Sequence, residues 1–96
     1  MTAPHFIVHD RTDNVGVIVA EDGVKKGQAL TGWLMEDDAT VALKAADDIP
    51  LGHKIAMRDL KSGETVLKYG HDVGRMVAPA TKGRHVHVHN LKTKRW

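Results

Sequence analysis

Three histidines alternate with valines near the end of the chain, in the run His-Val-His-Val-His at positions 85–89. Alternate side chains of a β-strand share one face, so His85, His87 and His89 are expected on one side and the valines on the other. Alternate Cβ atoms along one strand lie about 6.5–7 Å apart. Two such imidazoles can reach one metal ion, and iron, zinc, manganese or nickel are the candidates. The pattern predicts a metal or substrate contact, and the alternative is a surface strand with polar histidines.

A second group of polar residues follows a glycine in the segment 49–55. Gly52 permits a tight turn or a close approach of the backbone to a ligand. His53 and Lys54 come next, at the start of a predicted strand, and therefore point to opposite faces. One of the two is directed inward or at an interface. This pair is a candidate contact for a carboxylate or a sulfonate, and the alternative is a loop with a solvated lysine.

Three further polar residues are candidates for the same site. Lys68, near the end of a predicted strand, is a third candidate contact for an anion. Asn90 directly follows the histidines and either hydrogen-bonds a ligand or caps the turn. Asp13 is the acidic candidate for a general base, although an aspartate followed by an asparagine also favours a turn.

The elements that must position these residues are predicted to be mostly β-strands. Short apolar runs separated by glycine, aspartate and lysine favour strands. The predicted strands are 15–20, 29–35, 39–44, 54–57, 64–69, 75–80 and 85–89. Loops are expected at 50–52 and 71–74, and turns at 62–63 and 81–83. No segment keeps a 3.6-residue apolar period over three turns, so long helices are not expected, and only 42–48 favours a helix.

Length and composition limit the classes of protein that this chain can represent. Its 96 residues correspond to one domain, and so small a domain often depends on a partner. The absence of cysteine excludes disulfides, thiolate ligands and a cysteine nucleophile. No segment has the pattern of a signal peptide or the roughly 20 apolar residues of a membrane helix. We therefore expect a cytoplasmic protein that does not associate with a membrane.

The net charge of +2 conceals an uneven distribution along the chain. The stretch 75–96 contains six basic residues and no acidic one, whereas 36–48 contains five acidic residues and one lysine. A basic end is typical of contacts with nucleic acid, an acidic partner or an anionic substrate. Aromatic residues make up only 4% of the chain, which leaves few platforms for stacking bases, so no nucleic-acid partner is expected.

Several motifs together resemble a known family. In order, they are Asp13-Asn-Val-Gly-Val, Ile49-Pro-Leu-Gly-His-Lys-Ile-Ala, Gly63-Glu-Thr-Val, Lys68-Tyr-Gly, Val73-Gly and Gly83-Arg-His-Val-His-Val-His-Asn. This combination resembles the N-terminal domain of the altronate and galactarate dehydratases, which is an SAF domain with a β-clip fold. Residues 58–64 are similar to the loop and strand entry of SAF modules. The resemblance covers about residues 9–94.

The end of the chain favours one branch of this family. In the dehydratases the SAF domain is fused to a much larger domain, whereas this chain stops soon after the histidine motif. In this respect, and in the segments 3–6 and 90–96, it resembles the free-standing small subunits of sulfolactate sulfo-lyases. The resemblance implies a single SAF domain over 1–96 and a large dehydratase-like subunit as the partner.

The resemblance also implies a reaction and a site. The expected activity is a metal-dependent β-elimination from a small anionic hydroxy acid, with 3-sulfolactate giving pyruvate and sulfite. The alternatives are a sugar-acid dehydratase subunit and, in another class, a non-catalytic SAF module that binds an anion or a carbohydrate. Fe²⁺ is the implied ion, with Mn²⁺ as the alternative. The implied metal ligands are His85, His87 and His89, and the implied substrate contacts are His53, Lys54, Lys68 and Asn90. The general base is expected on the partner subunit, and Asp13 is the candidate for this role within this chain.

Overall fold

All regular elements of the computed structural model are β-strands, and the structure describes residues 3–68, 71–87 and 89–92. The strands are β1 (Phe6–Val8), β2 (Val15–Ile18), β3 (Ala29–Leu34), β4 (Ala39–Lys44), β5 (Lys54–Ala56), β6 (Thr65–Lys68), β7 (His71–Met76), β8 (His85–Val86) and β9 (Leu91–Lys92). The prediction of a mostly β fold is confirmed. Within these described ranges, no helix is long and apolar enough to cross a membrane.

The strands form two sheets. The larger sheet has the order β4-β3-β1-β2-β5-β8, and the smaller has the order β6-β7-β9. Neighbouring strands are antiparallel except β1 and β3, which are parallel. β5 and β8 pair at the edge of the larger sheet, with Lys54 opposite Val86 and Ile55 opposite His85. This pairing brings the two histidine-containing segments of the sequence side by side.

Two apolar clusters hold the sheets in place. The first contains Phe6, Ile18 and Ile55 among its buried residues, and the second contains Ala56 and Val86. Consecutive residues of a strand point to opposite faces, so β5 contributes Ile55 to one cluster and Ala56 to the other. The short strand that precedes the histidine-rich edge is therefore packed on both sides.

Five strands lie where the sequence predicts them. β2, β3, β4, β5 and β6 start or end within two residues of the predicted limits over the described residues. The predicted turns at 62–63 and 81–83 are also present, and the loop at 50–52 turns at Leu51-Gly52. Tyr69 and Val88, which were assigned to predicted strands, lie outside the described residues.

The prediction of a loop at 71–74 followed by a strand at 75–80 is wrong. The strand is β7, His71–Met76, and it pairs with β6 and β9. Gly74 suggested a loop, but its role is to admit a neighbouring strand. Its φ is +149°, and a Cβ at this position would lie 2.3 Å from the carbonyl oxygen of Lys92. Glycine therefore marks a close approach of two strands here.

Two other expectations are corrected by the structure. The segment 42–48 does not form a helix, because Leu43 and Ala45 are both buried and the chain continues as β4 up to Lys44. The predicted strand 85–89 extends only from His85 to Val86, and it pairs with β5 rather than with the strand before it. β1 and β9 have three and two residues, too few for an apolar period to be recognised.

Candidate functional site

Three imidazoles meet at the β5–β8 edge. Continuing the register of Lys54 with Val86 by one residue places His53 opposite His87, and their ring centroids are 3.8 Å apart with an angle of 17° between the planes. Nδ1 of His53 and Nε2 of His85 are 2.8 Å apart. One potential ligand atom from each of the three lies within 4.8 Å of the others. We call His53, His85 and His87 the imidazole cluster.

One ring atom of this cluster lacks a hydrogen bond. Nδ1 of His87 is buried, and no described residue donates to it or accepts from it. Buried polar atoms in folded proteins nearly always have a partner, so each exception needs a physical explanation. A ligand bound at this nitrogen would supply that partner.

The environment favours the neutral form of two of these rings. Burial lowers the pKa of His85 below its usual 6.5, and the charges of His89, His53 and His87 lower it further, against a smaller opposing effect of Asp47. Burial also lowers the pKa of His87, followed by the charges of His53 and Lys54. Neutral imidazole is the form that ligates metal ions. At neutral pH His85 and His87 therefore offer lone pairs rather than positive charge.

Two lysines are linked to the cluster through electrostatic effects. Lys54 on β5 is half-buried, and its pKa is lowered first by burial and then by the positive charge of Lys68 on β6. The charge of Lys54 also lowers the pKa of His87. Like charges brought close in a partly buried position are stabilised by an anion placed between them. Lys54 and Lys68 therefore stay candidates for holding an anionic group, with Lys54 on the face of β5 opposite to that of His53.

Comparison with known protein families assigns the chain to one of them. Residues 4–94 match the family described as the altronate/galactarate dehydratase SAF domain. The chain belongs to this family.

Individual relatives of this SAF domain are of two kinds. It is 57% identical over 91 residues to the (2R)-sulfolactate sulfo-lyase subunit alpha of Chromohalobacter salexigens, covering 95% of this chain and 96% of that one. It is 55% identical over 60 residues to the protein of the same name in Paracoccus pantotrophus, covering 62% and 90%. It is 35% identical over 88 residues to the altronate dehydratase of Bacillus subtilis, covering 92% of this chain and 16% of that enzyme. Relatives named as a subunit imply that a partner subunit exists.

His89 lies beside the cluster rather than within it. Its side chain is exposed, and its ring centroid is 5.0 Å from that of His85 with an angle of 47° between the planes. His89 lines a surface pocket together with Lys26, Arg84 and His85. His53, which sequence reasoning assigned to the substrate, occupies the position next to His85 and His87 that was expected for His89.

Asn90 is buried beneath the histidine segment of the SAF domain. It is only 6% exposed, and its amide oxygen and nitrogen both bond to the backbone of that segment. The structure thus shows the capping role that the sequence left open for this residue. A direct contact of Asn90 with substrate stays a prediction.

Asp13 is placed away from the imidazole cluster. It is buried and lines a pocket that also contains Val8, Met57 and Arg58 but none of the three clustered histidines. The preceding turn is closed by a hydrogen bond from the Asp13 N–H to the carbonyl of Asp10, 3.0 Å. Among the described residues, the pocket that Asp13 lines therefore excludes the candidate metal ligands.

Two residues with clear positioning contacts were not recognised from the sequence. Asn14, 2% exposed, donates through Nδ2 to the carbonyl of Thr65 at 2.8 Å and accepts from the Leu67 N–H at 2.8 Å. It thereby fixes β6, which carries Lys68. Asp47 accepts a hydrogen bond from the His85 N–H at 3.0 Å. Asn14 was interpreted only as a turn residue, and Asp47 had no signal beyond its place in an acidic stretch.

Proposed function

We propose that this SAF domain is the small subunit of a two-subunit lyase that converts (2R)-3-sulfolactate to pyruvate and sulfite. The observation that carries the proposal is its near full-length likeness to a subunit alpha of that activity. We propose that the partner is a large dehydratase-like chain, because the dehydratase relatives are much longer than the segment that they share with this domain. The cytoplasm stays our prediction for the compartment.

We further propose that the imidazole cluster holds Fe²⁺, with Mn²⁺ as the alternative. The fit rests on neutral imidazoles, an unpaired buried Nδ1 of His87, and the 2.8 Å between Nδ1 of His53 and Nε2 of His85. These three histidines would hold the ion through their ring nitrogens. When bound, such an ion supplies a Lewis acid that stabilises negative charge on the substrate carboxylate and 2-hydroxyl.

We propose that Lys54 and Lys68 of the SAF domain supply the positive charge that holds the anionic substrate. 3-Sulfolactate is a dianion, and the positive charge of Lys68 acts on Lys54, so these two lysines are the candidates for holding its anionic groups. In the reaction the electron pair of the C2–H bond becomes the C2–C3 π bond, and the C3–S pair leaves with sulfite. The resulting enol then tautomerises to pyruvate. The lysines orient the substrate for this step by holding an anionic group.

The proton at C2 is assigned to a base on the partner subunit. A general base must lie within about 2.6–3.2 Å of the proton that it removes, or act through one water. Asp13 lines a different pocket from His85. The small subunit thus binds and orients the substrate, and it is expected to be inactive alone.

The test is a sulfite assay on the assembled enzyme. The chain is co-purified with the large dehydratase-like chain encoded in the same genome, and each is also assayed alone with (2R)-3-sulfolactate and with altronate. Sulfite release by the complex and none by this chain alone is the expected result. Formation of a 2-oxo acid from altronate without sulfite from sulfolactate would instead assign a sugar-acid dehydratase. Substrate binding without either reaction would assign a non-catalytic binding module.

A lysine variant then tests the anion site in the active complex. Lys54→Gln should raise KM for sulfolactate by about 10- to 100-fold, the range expected for losing one charge-assisted hydrogen bond. Lys61→Gln is the matched control, since Lys61 is exposed on a turn and should leave KM unchanged. Equal KM values for the two variants would remove Lys54 from the site.

A further inference from the structure

Two side chains hold the backbone of His85 and His87, one from a distant part of the sequence, Asp47, and one from the same segment, Asn90. The His85 N–H donates to Oδ2 of Asp47 at 3.0 Å, and the His85 carbonyl accepts from Nδ2 of Asn90 at 2.9 Å. The His87 N–H donates to Oδ1 of Asn90 at 3.0 Å. The His87 carbonyl accepts from the backbone N–H groups of Asn90 and Leu91, at 3.0 and 2.9 Å.

These contacts replace strand pairing that the sheet does not provide. β8 is the last strand of the larger sheet and has two residues, so a strand partner holds it on one side and only as far as Val86. Backbone groups at a sheet edge need other partners if they are buried. Asp47 supplies one on the open side of His85, and Asn90 supplies partners beyond the end of the strand.

The segment that carries Asp47 is brought to this edge by a glycine. The Ala46 N–H donates to the carbonyl of Gly83 at 2.9 Å. Gly83 has a φ of +90°, and a Cβ there would lie 2.4 Å from the carbonyl oxygen of Lys44. Only glycine permits this approach. Asp47 then lies beside His85, and an ion pair with Nε of Arg84 at 3.0 Å fixes the same oxygen.

We infer that Asp47 and Asn90 are positioning residues of the imidazole cluster: they fix the backbone of His85 and His87 so that the two rings meet His53. In metal sites, loss of a residue that orients a ligand through a hydrogen bond typically weakens metal binding by about 10- to 100-fold. The part of this inference that concerns metal affinity rests on the proposed function. The part that concerns ring placement does not, because it rests on hydrogen bonds within this chain.

The first measurement therefore uses the metal-free full chain, by ¹⁵N NMR of the histidine rings at about pH 8, where the imidazoles are neutral. In the wild type, the contact between His53 Nδ1 and His85 Nε2 should hold each ring in one tautomer and give widely separated Nδ1 and Nε2 shifts. Asp47→Ala should move the His85 pair toward tautomer-averaged values. Asp47→Asn, which keeps an acceptor oxygen, should restore them. Asp48→Ala is the matched control, because Asp48 accepts from the Lys26 N–H and not from a histidine.

The second measurement is a titration of the same variants with Co²⁺, whose visible absorption reports its ligands. Asp47→Ala and Asn90→Asp, which loses the donor to the His85 carbonyl, should weaken Co²⁺ binding by about 10- to 100-fold, and Asp48→Ala should not. Wild-type ring shifts and wild-type Co²⁺ affinity in both variants would overturn the inference, even if their melting temperatures fall. Shifted rings in a chain whose wild type binds no Co²⁺ would uphold the positioning role and reject the metal site. If Asp47→Ala does not fold, Asp47→Asn is compared with the wild type instead. Wild-type ring shifts and at most a several-fold loss of Co²⁺ affinity in Asp47→Asn would support the positioning role of Asp47. A loss of Co²⁺ affinity equal to that of Asn90→Asp would contradict it.

Discussion

Nδ1 of His53 and Nε2 of His85 lie 2.8 Å apart, although 32 residues separate the two histidines in the chain. The contact depends on the antiparallel pairing of β5 with β8, since His53 directly precedes β5 and His85 is the first residue of β8. His85 and His87 therefore gain a third imidazole, His53, from the residue that leads into the neighbouring strand β5. Three side chains in line on a single strand reach one common centre poorly, because alternate Cβ atoms are about 6.5–7 Å apart. An imidazole from a neighbouring segment avoids this problem.

The first prediction separates His53 from His89 as a ligand. His53→Gln removes one of three converging imidazoles and should weaken Co²⁺ or Fe²⁺ binding by more than about 100-fold, beyond the loss typical of an orienting residue. His89→Gln removes an exposed ring outside the cluster and should weaken it much less. Titrations of both variants, with circular dichroism as the control for folding, provide the comparison. A larger effect at His89 would return the ligand set to the three histidines of the alternating motif.

The sequence predicted the residue types of the candidate site better than their arrangement. The alternating motif identified His85 and His87, and the Gly-His-Lys motif identified His53 and Lys54. Which strands pair is a long-range property of the fold, and no local pattern specified that β5 lies next to β8. For this reason His53 was assigned to the substrate, and its position next to His87 was not foreseen.

The strands show the same division between local and long-range information. β4 has the predicted limits, because local alternation of buried and exposed residues is sufficient to identify it. β8 stops at Val86, because Asn90 draws the following residues into a turn through hydrogen bonds to His85 and His87. That turn depends on a side chain buried by the rest of the fold, and periodicity alone extends the strand to residue 89.

The second prediction concerns pH. The pKa values of His85 and His87 are lowered from 6.5, first by burial, so between the folded and unfolded pKa values the unfolded chain binds more protons. Stability then rises with pH in this window. The contribution is fully present above pH 6.5 and is lost as pH falls below it, until the folded pKa is passed. The melting temperature of the metal-free chain should therefore decrease when the pH is lowered from about 7.5 to about 5.

A double variant is the control for this pH effect. In His85→Gln/His87→Gln neither group titrates, so the melting temperature should change less over the same range. Asp10 and Glu64, whose pKa values are lowered from 3.8 and 4.5, titrate below this window and do not interfere. An equal slope in the wild type and the double variant would show that other groups cause the pH dependence.

The third prediction concerns Asn14, which connects the start of β2 to β6. Asn14→Asp keeps an acceptor for the Leu67 N–H but replaces the donor to the Thr65 carbonyl by a second acceptor. In a position that is only 2% exposed, this should cost about 1–3 kcal/mol of the free energy of unfolding. Urea denaturation measures it. Asp48→Asn, the reverse exchange at an exposed site, should stay within about 0.5 kcal/mol of wild type.

The last prediction separates the two faces of β8. Val86 is fully buried in the second apolar cluster, and Val86→Ala removes two methyl groups, which should cost about 1–3 kcal/mol. His85→Gln keeps bulk and polarity on the other face and should cost less stability while it weakens Co²⁺ binding. Val77→Ala is the matched control, because Val77 is 43% exposed and the same truncation there should change stability by about 0.5 kcal/mol or less. Unfolding free energy and Co²⁺ affinity are measured for all three variants, with affinity calculated per folded molecule. If Val86→Ala lost affinity while keeping stability, and His85→Gln did the reverse, the assignment of the two faces would be inverted.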